Sequence, residues 1–147
     1  MNREKGQVLA FLALAMPIVL LPVVAYVVDA SVVGLHAAGL QAASASAAEI
    51  AAQQVDVTRL RSGGGLALDP VAARRVAFEV LRRQEPGASI DSIRVEGVDV
   101  TVDASETVPP PLALLGGPVM LRARATARLV AGYSSPSSLL PLPSSSL

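Results

Sequence analysis

No cysteine and no tryptophan occur among the 147 residues. Without cysteine there can be no disulfide framework, thiolate zinc site or cysteine nucleophile. Aromatic residues make up only 3% of the chain, so a core has to be built from Val, Leu, Ile and Ala. His36 is the single histidine, and one histidine makes neither a metal site nor a catalytic triad. It lies two helical turns from Asp29, roughly 10 Å along an axis and too far for a direct hydrogen bond. Basic and acidic residues balance at 12 each, which gives no reason to expect nucleic-acid binding. There is no Gly-rich phosphate loop, paired-histidine motif or nucleophile elbow. The carboxylates are scattered. No catalytic, metal or cofactor-binding residue is assigned, and the chain reads as a non-enzyme.

The absence with the largest consequence is local. From Val8 to Val28 there is no charged residue. A helix of about 21 residues spans roughly 30 Å, the hydrocarbon thickness of a bilayer. In water such a segment would need burial on every side, and a chain this small cannot easily supply that. A transmembrane anchor over 7–29 is therefore expected, behind a cytoplasmic leader over 1–6. The apolar run is too long for a secretory signal and leads straight into a helical pattern. Arg3 and Lys5 precede the span, and the next basic residue is Arg59. This asymmetry predicts the N-terminus inside and the bulk of the chain outside. Pro17 and Pro22 sit within the span, where proline is tolerated and can bend the helix.

Beyond Asp29 the chain keeps a helical pattern to about residue 58, an extracytoplasmic extension over 30–58. Ala30, Gly34, Ala38, Ala42 and Ser46 recur at i+4 and form a ridge of small side chains. Such a ridge lets a second helix approach closely. It would equally suit packing on the chain's own sheet, or simply a good helix former. A second stripe, Val33, Ala37, Leu40, Ser44, Ala47, Ala51 and Gln54, lies on an adjacent face. Asp29 reads as the membrane exit, solvated by water, with a partner contact as the other reading.

These residues carry a resemblance. The basic leader ending in Gly6, the run Ala13 to Pro17, Asp29, and the pattern from Leu40 to Ala48 are similar to the N-terminal region of TadE/TadG-like pilus-assembly proteins. The resemblance covers about the first 55 residues closely and the rest only in layout. It implies a pilin-like or minor-pilin subunit of a Tad/Flp-type pilus or related secretion apparatus. Its partners would be membrane lipid and other subunits of the apparatus, with the ridge as the helix-packing interface. Prepilin-like members carry Glu at the fifth position after the processed Gly, and here that position is Phe11. The departure argues against leader cleavage between Gly6 and Gln7. The branch that lacks this Glu and keeps its leader fits better. The alternative is a monomeric, membrane-anchored binding module, which should show a pocket or an exposed aromatic cluster.

The remainder reads as a small α+β domain over 59–131. Ser62 to Gly65 is a break. Asp69 and Pro70 supply an N-cap and a proline at the first helical position. Ala73, Val76, Ala77, Val80 and Leu81 form one apolar face. Glu79 can pair with Arg75, Arg82 and Arg83, and Pro86-Gly87 stops the helix. Alternation then predicts strands through Ile93–Val95, Val98–Glu106 and Val119–Leu129, with a tight hairpin at Glu96-Gly97. If the last two pair, Arg122, Arg124 and Arg128 can lie opposite Asp99 and Asp103. Between them, Pro109–Pro111 and Gly116–Pro118 bracket the apolar Leu112–Leu115, which could dock on a partner or a membrane. The Ser/Pro/Leu stretch over 132–147 reads as disordered. The expected fold class is thus α+β: a transmembrane helix continuing into a long helix, a short helix, and a three-stranded antiparallel sheet.

Overall fold

A computed structural model describes residues 3–114 and 116–130, with side chains from residue 11 onward. The segment over 132–147 lies outside these residues. The fold is α+β, in the order α1 (Arg3–Ala51), α2 (Val57–Arg61), α3 (Pro70–Gln84), β1 (Ser89–Glu96), β2 (Asp99–Val108) and β3 (Val119–Arg128).

Helix α1 is continuous over 49 residues and runs through Pro17 and Pro22, so it is roughly 75 Å long. It ends at Ala51, short of the expected residue 58. The reason is local. The N–H groups of Gln53 and Gln54 turn back to the carbonyls of Ile50 and Ala51. Val55 then forms a bridge with Leu68. Asp56 becomes the N-cap of α2, its carboxylate accepting the Arg59 N–H at 2.9 Å. A capping carboxylate starts a new helix and so terminates the old register. α3 begins as its cap predicts: Asp69 Oδ1 accepts from the N–H groups of Val71 and Ala72.

The sheet is a meander in the order β1-β2-β3, antiparallel throughout. Gly97 takes a φ of 64° at the first position of the β1–β2 loop, as primed hairpin turns require. Strand β1 begins earlier than expected, at Ser89. An irregularity between Ile90 and Ser92 leaves Asp91 as the extra residue. That bulge explains why Ile90 and Ile93, three apart, both pack toward the core.

One core unites the outer part of α1 with the rest. Leu40, Ala43, Ala47, Ala48 and Ala51 from α1 pack with Ala73, Ala77 and Leu81 from α3 and with Val100, Val102, Ala104, Ala123 and Ala125 from the sheet. Alanine dominates where the helices and the sheet meet, which lets the backbones approach closely. A boundary at residue 58 therefore cuts through a single hydrophobic core. The contacts also fix direction. Asp29 bonds Leu112 and Leu114, His36 meets Glu106, and Gln41 donates to the Arg124 carbonyl. Strand β2 therefore runs along α1 toward its apolar half, and β3 returns from it.

Candidate interaction surface

Among the described residues, the apolar half of α1 stands clear of the core. From Phe11 to Val28 its large side chains are exposed all round. One helix here is long and apolar enough to cross a membrane. In water, an exposed Leu, Ile or Val forgoes up to about 1.5–3 kcal/mol of burial, and ten such side chains are exposed here. Gly6 and Gln7 fall inside α1 itself.

The outer half of α1 divides into two stripes. Leu40, Ser44, Ala47 and Ala51 are buried, and Val33 and Ala37 are half-buried; this stripe faces the core. The neighbouring ridge does not. Ala30, Gly34, Ala38 and Ala42 are exposed, and a Cβ placed on Gly34 would meet nothing within 4 Å. Ser46 differs from these four: it is half-buried and its Oγ accepts from Gln84 Nε2 of α3 at 3.1 Å.

Asp29 is not solvated, contrary to its reading as a water-exposed exit. It is fully buried, and its two carboxylate oxygens accept the backbone N–H groups of Leu112 and Leu114, each at 2.8 Å. Each carboxylate oxygen thus has a hydrogen-bond partner, which offsets part of the cost of burying it. His36 is likewise paired, though not with Asp29. Its Nδ1 lies 3.2 Å from Glu106 Oε1. Glu106 falls on the inner face of β2, in phase with Val100, Val102 and Ala104. Its even position could have been read from the alternation. The buried state of Asp29 could not, because its partners are loop amides more than eighty residues away.

The outer face of the sheet is a polar ladder. Asp99 pairs in register with Arg128, and Asp103 with Arg124, as the alternation predicts. Arg128 grips Asp99 with Nε and Nη2 at 2.7 and 2.9 Å. Asp103 receives Arg124 on one oxygen, and Ser92 and Arg94 on the other at 2.6 and 3.0 Å. Hydrogen bonding from Arg128 holds the Asp99 carboxyl below its ordinary range, and Arg124 then Ser92 do the same for Asp103. Asp99 in turn raises Arg128. These carboxylates are engaged with their own neighbours, which suits a solvated sheet face.

On α3, Arg74, Arg75, Arg82 and Arg83 are exposed. Among the described residues, Glu79 forms no ion pair with them; surface pairs of this kind contribute little in any case. An open depression of ≈ 350 Å³ is lined by Phe78, Arg82, Pro86, Ala88, Ser89 and Ile90. It brings together one aromatic and one charged side chain. Among the described residues, no group of three or more His, Asp or Glu side chains could hold a metal ion. Compared with known protein families, with characterised proteins and with solved structures, the chain matches none.

Proposed function

We propose that this chain is a non-enzymatic, membrane-anchored subunit, pilin-like or minor-pilin-like, of a Tad/Flp-type pilus or related secretion apparatus. It inserts in the cytoplasmic membrane with its N-terminus inside and its α+β part outside, and it assembles through α1. The observation that carries this reading is the division of one helix. Its outer half is built into the core, and its inner half is an apolar rod left exposed among the described residues. A rod joined rigidly to a folded head transmits lateral packing in the membrane to the position of the head. The exposed stripe Ala30, Gly34, Ala38 and Ala42 runs just beyond the span, where close helix approach is governed by packing. The resemblance of the first 55 residues to TadE/TadG-like proteins supports the same assignment, and so do Arg3 and Lys5 before the span.

The chain has no cysteine, so single thiols can report neighbours without background. Ala38→Cys in native membranes should form a disulfide-linked or bismaleimide-linked species, with a second copy or another subunit. Exclusive recovery of monomer from Ala38→Cys and Gly34→Cys would contradict assembly through this stripe.

A further inference from the structure

We infer that the β2–β3 loop, residues 109–118, is a second membrane contact: an apolar cap that rests in the lipid interface beside α1 and is held there by Asp29. The inference rests on α1 crossing the bilayer.

Height along the helix is the first support. Asp29 directly follows the uncharged run that ends at Val28. Helical side chains lean toward the N-terminus, so its carboxylate lies on the span side of its own Cα. Leu112 and Leu114 bond that carboxylate at 2.8 Å, so the loop sits level with the end of the apolar rod. Tyr26, one turn earlier and 54% exposed, is of the type that settles at membrane–water boundaries.

The chemistry of the loop is the second. No charged residue occurs from Thr107 to Leu121, with Glu106 and Arg122 closing the stretch. Leu112 and Leu114 are 51% and 48% exposed, so the loop turns apolar side chains outward beside an apolar helix.

The backbone is the third. Polar backbone groups in an apolar medium need acceptors inside the protein. Residues 109–111 and 118 are prolines and have no N–H to satisfy. Leu112 and Leu114 donate to Asp29, Ala113 to the Pro110 carbonyl, and Gly116 to the Ala113 carbonyl. Ala113 sits at a φ of 56°, a left-handed conformation that non-glycine residues seldom adopt. That conformation aims the two flanking amides at one anion, the geometry of a backbone nest. Asp29 therefore sets the loop's shape as well as its height. With the amides of Leu112, Ala113, Leu114 and Gly116 satisfied and Leu112 and Leu114 turned outward, this part of the loop fits lipid, and continuity with the span places lipid beside it.

The chain lacks tryptophan, which allows a direct test. Full-length Leu114→Trp, Val19→Trp and Thr101→Trp proteins are placed in phosphatidylcholine nanodiscs with and without bromine on the upper acyl chains. Val19→Trp reports the span and Thr101→Trp the outer sheet face. Leu114→Trp should lose about half its emission to brominated lipid, as expected for a group seated at the acyl boundary, while Thr101→Trp keeps its own. Leu112→Trp should repeat the result if Leu114→Trp misfolds. Adding Asp29→Ala should cut the Leu114→Trp quenching toward the Thr101→Trp level. If Val19→Trp is quenched and both loop probes are not, the loop stands in water or against protein and the inference is overturned while the span survives. If Val19→Trp is unquenched, α1 does not cross and the inference falls with it. Unchanged loop quenching in Asp29→Ala would remove Asp29 from the account.

Discussion

His36 on α1 and Glu106 on β2 are in hydrogen-bond contact across the helix–sheet boundary, Nδ1 to Oε1, at 3.2 Å. The Glu106 side chain is only 9% exposed, and its second oxygen has no partner among the described residues. The carboxylate therefore depends on His36. Replacing one member strands the other, whereas replacing both with apolar groups removes the cost of desolvation.

His36→Leu should cost about 1–3 kcal/mol, the penalty of leaving a buried polar group unpaired. Combining it with Glu106→Leu should recover part of that loss. Urea unfolding of the detergent-solubilised protein measures both. A double variant no more stable than His36→Leu would show that Glu106 does not need its partner.

Acid should act through the outer ladder. The folded-state carboxyls of Asp99 and Asp103 are lowered, so they bind protons less readily than in the unfolded chain. Their contribution is complete above the ordinary carboxylate range, about pH 4, and is lost as the pH falls through the folded values. Thermal melts between neutral pH and pH 2 should show the fall confined to the acid end. Asp103→Asn should be less stable at neutral pH and lose less on acidification. An acid limb as steep as the parent's in Asp103→Asn would assign the effect to other groups.

Ser44 is buried in the α1 stripe that faces the core, and its hydroxyl has no partner among the described residues. Ser44→Ala removes an unsatisfied polar atom and adds helix propensity. It should raise stability by about 1 kcal/mol. Leu81→Ala, at a site equally enclosed, should lower it by about 2–5 kcal/mol through the cavity left behind. A destabilised Ser44→Ala would reveal a hydrogen bond that the geometry does not contain.

What could be read in advance was what depends on neighbours in sequence or on a fixed period. The Asp69-Pro70 start of α3 is a cap defined by adjacent residues. The pairing of Asp99 with Arg128 and Asp103 with Arg124 follows from alternation once the two strands are antiparallel. Three features needed the third dimension. Asp29 looks like a solvated exit until the β2–β3 loop folds back on it. The end of α1 at Ala51 is set by Val55 pairing with Leu68 and by the Asp56 cap, against strong helix formers. Of the two small-residue stripes on α1, only packing decides which one the core uses. It takes Leu40, Ser44, Ala47 and Ala51, and leaves Ala30, Gly34, Ala38 and Ala42 in the open.

That open stripe is where the account is most directly tested. A Cβ added at Gly34 meets nothing within 4 Å, and Ala38 is exposed, so added bulk there should not disturb folding. Leucine also favours both helix and membrane. A partner helix in close contact, however, would have to move away, because packed interfaces do not stretch to admit extra atoms. The measurement is cross-linking and assembly in native membranes of Gly34→Leu and Ala38→Leu, with Ser31→Leu as the control off the stripe. The account predicts that both stripe variants insert and fold like the parent but lose their cross-linked partners, while Ser31→Leu keeps them. Normal assembly of both stripe variants would contradict it.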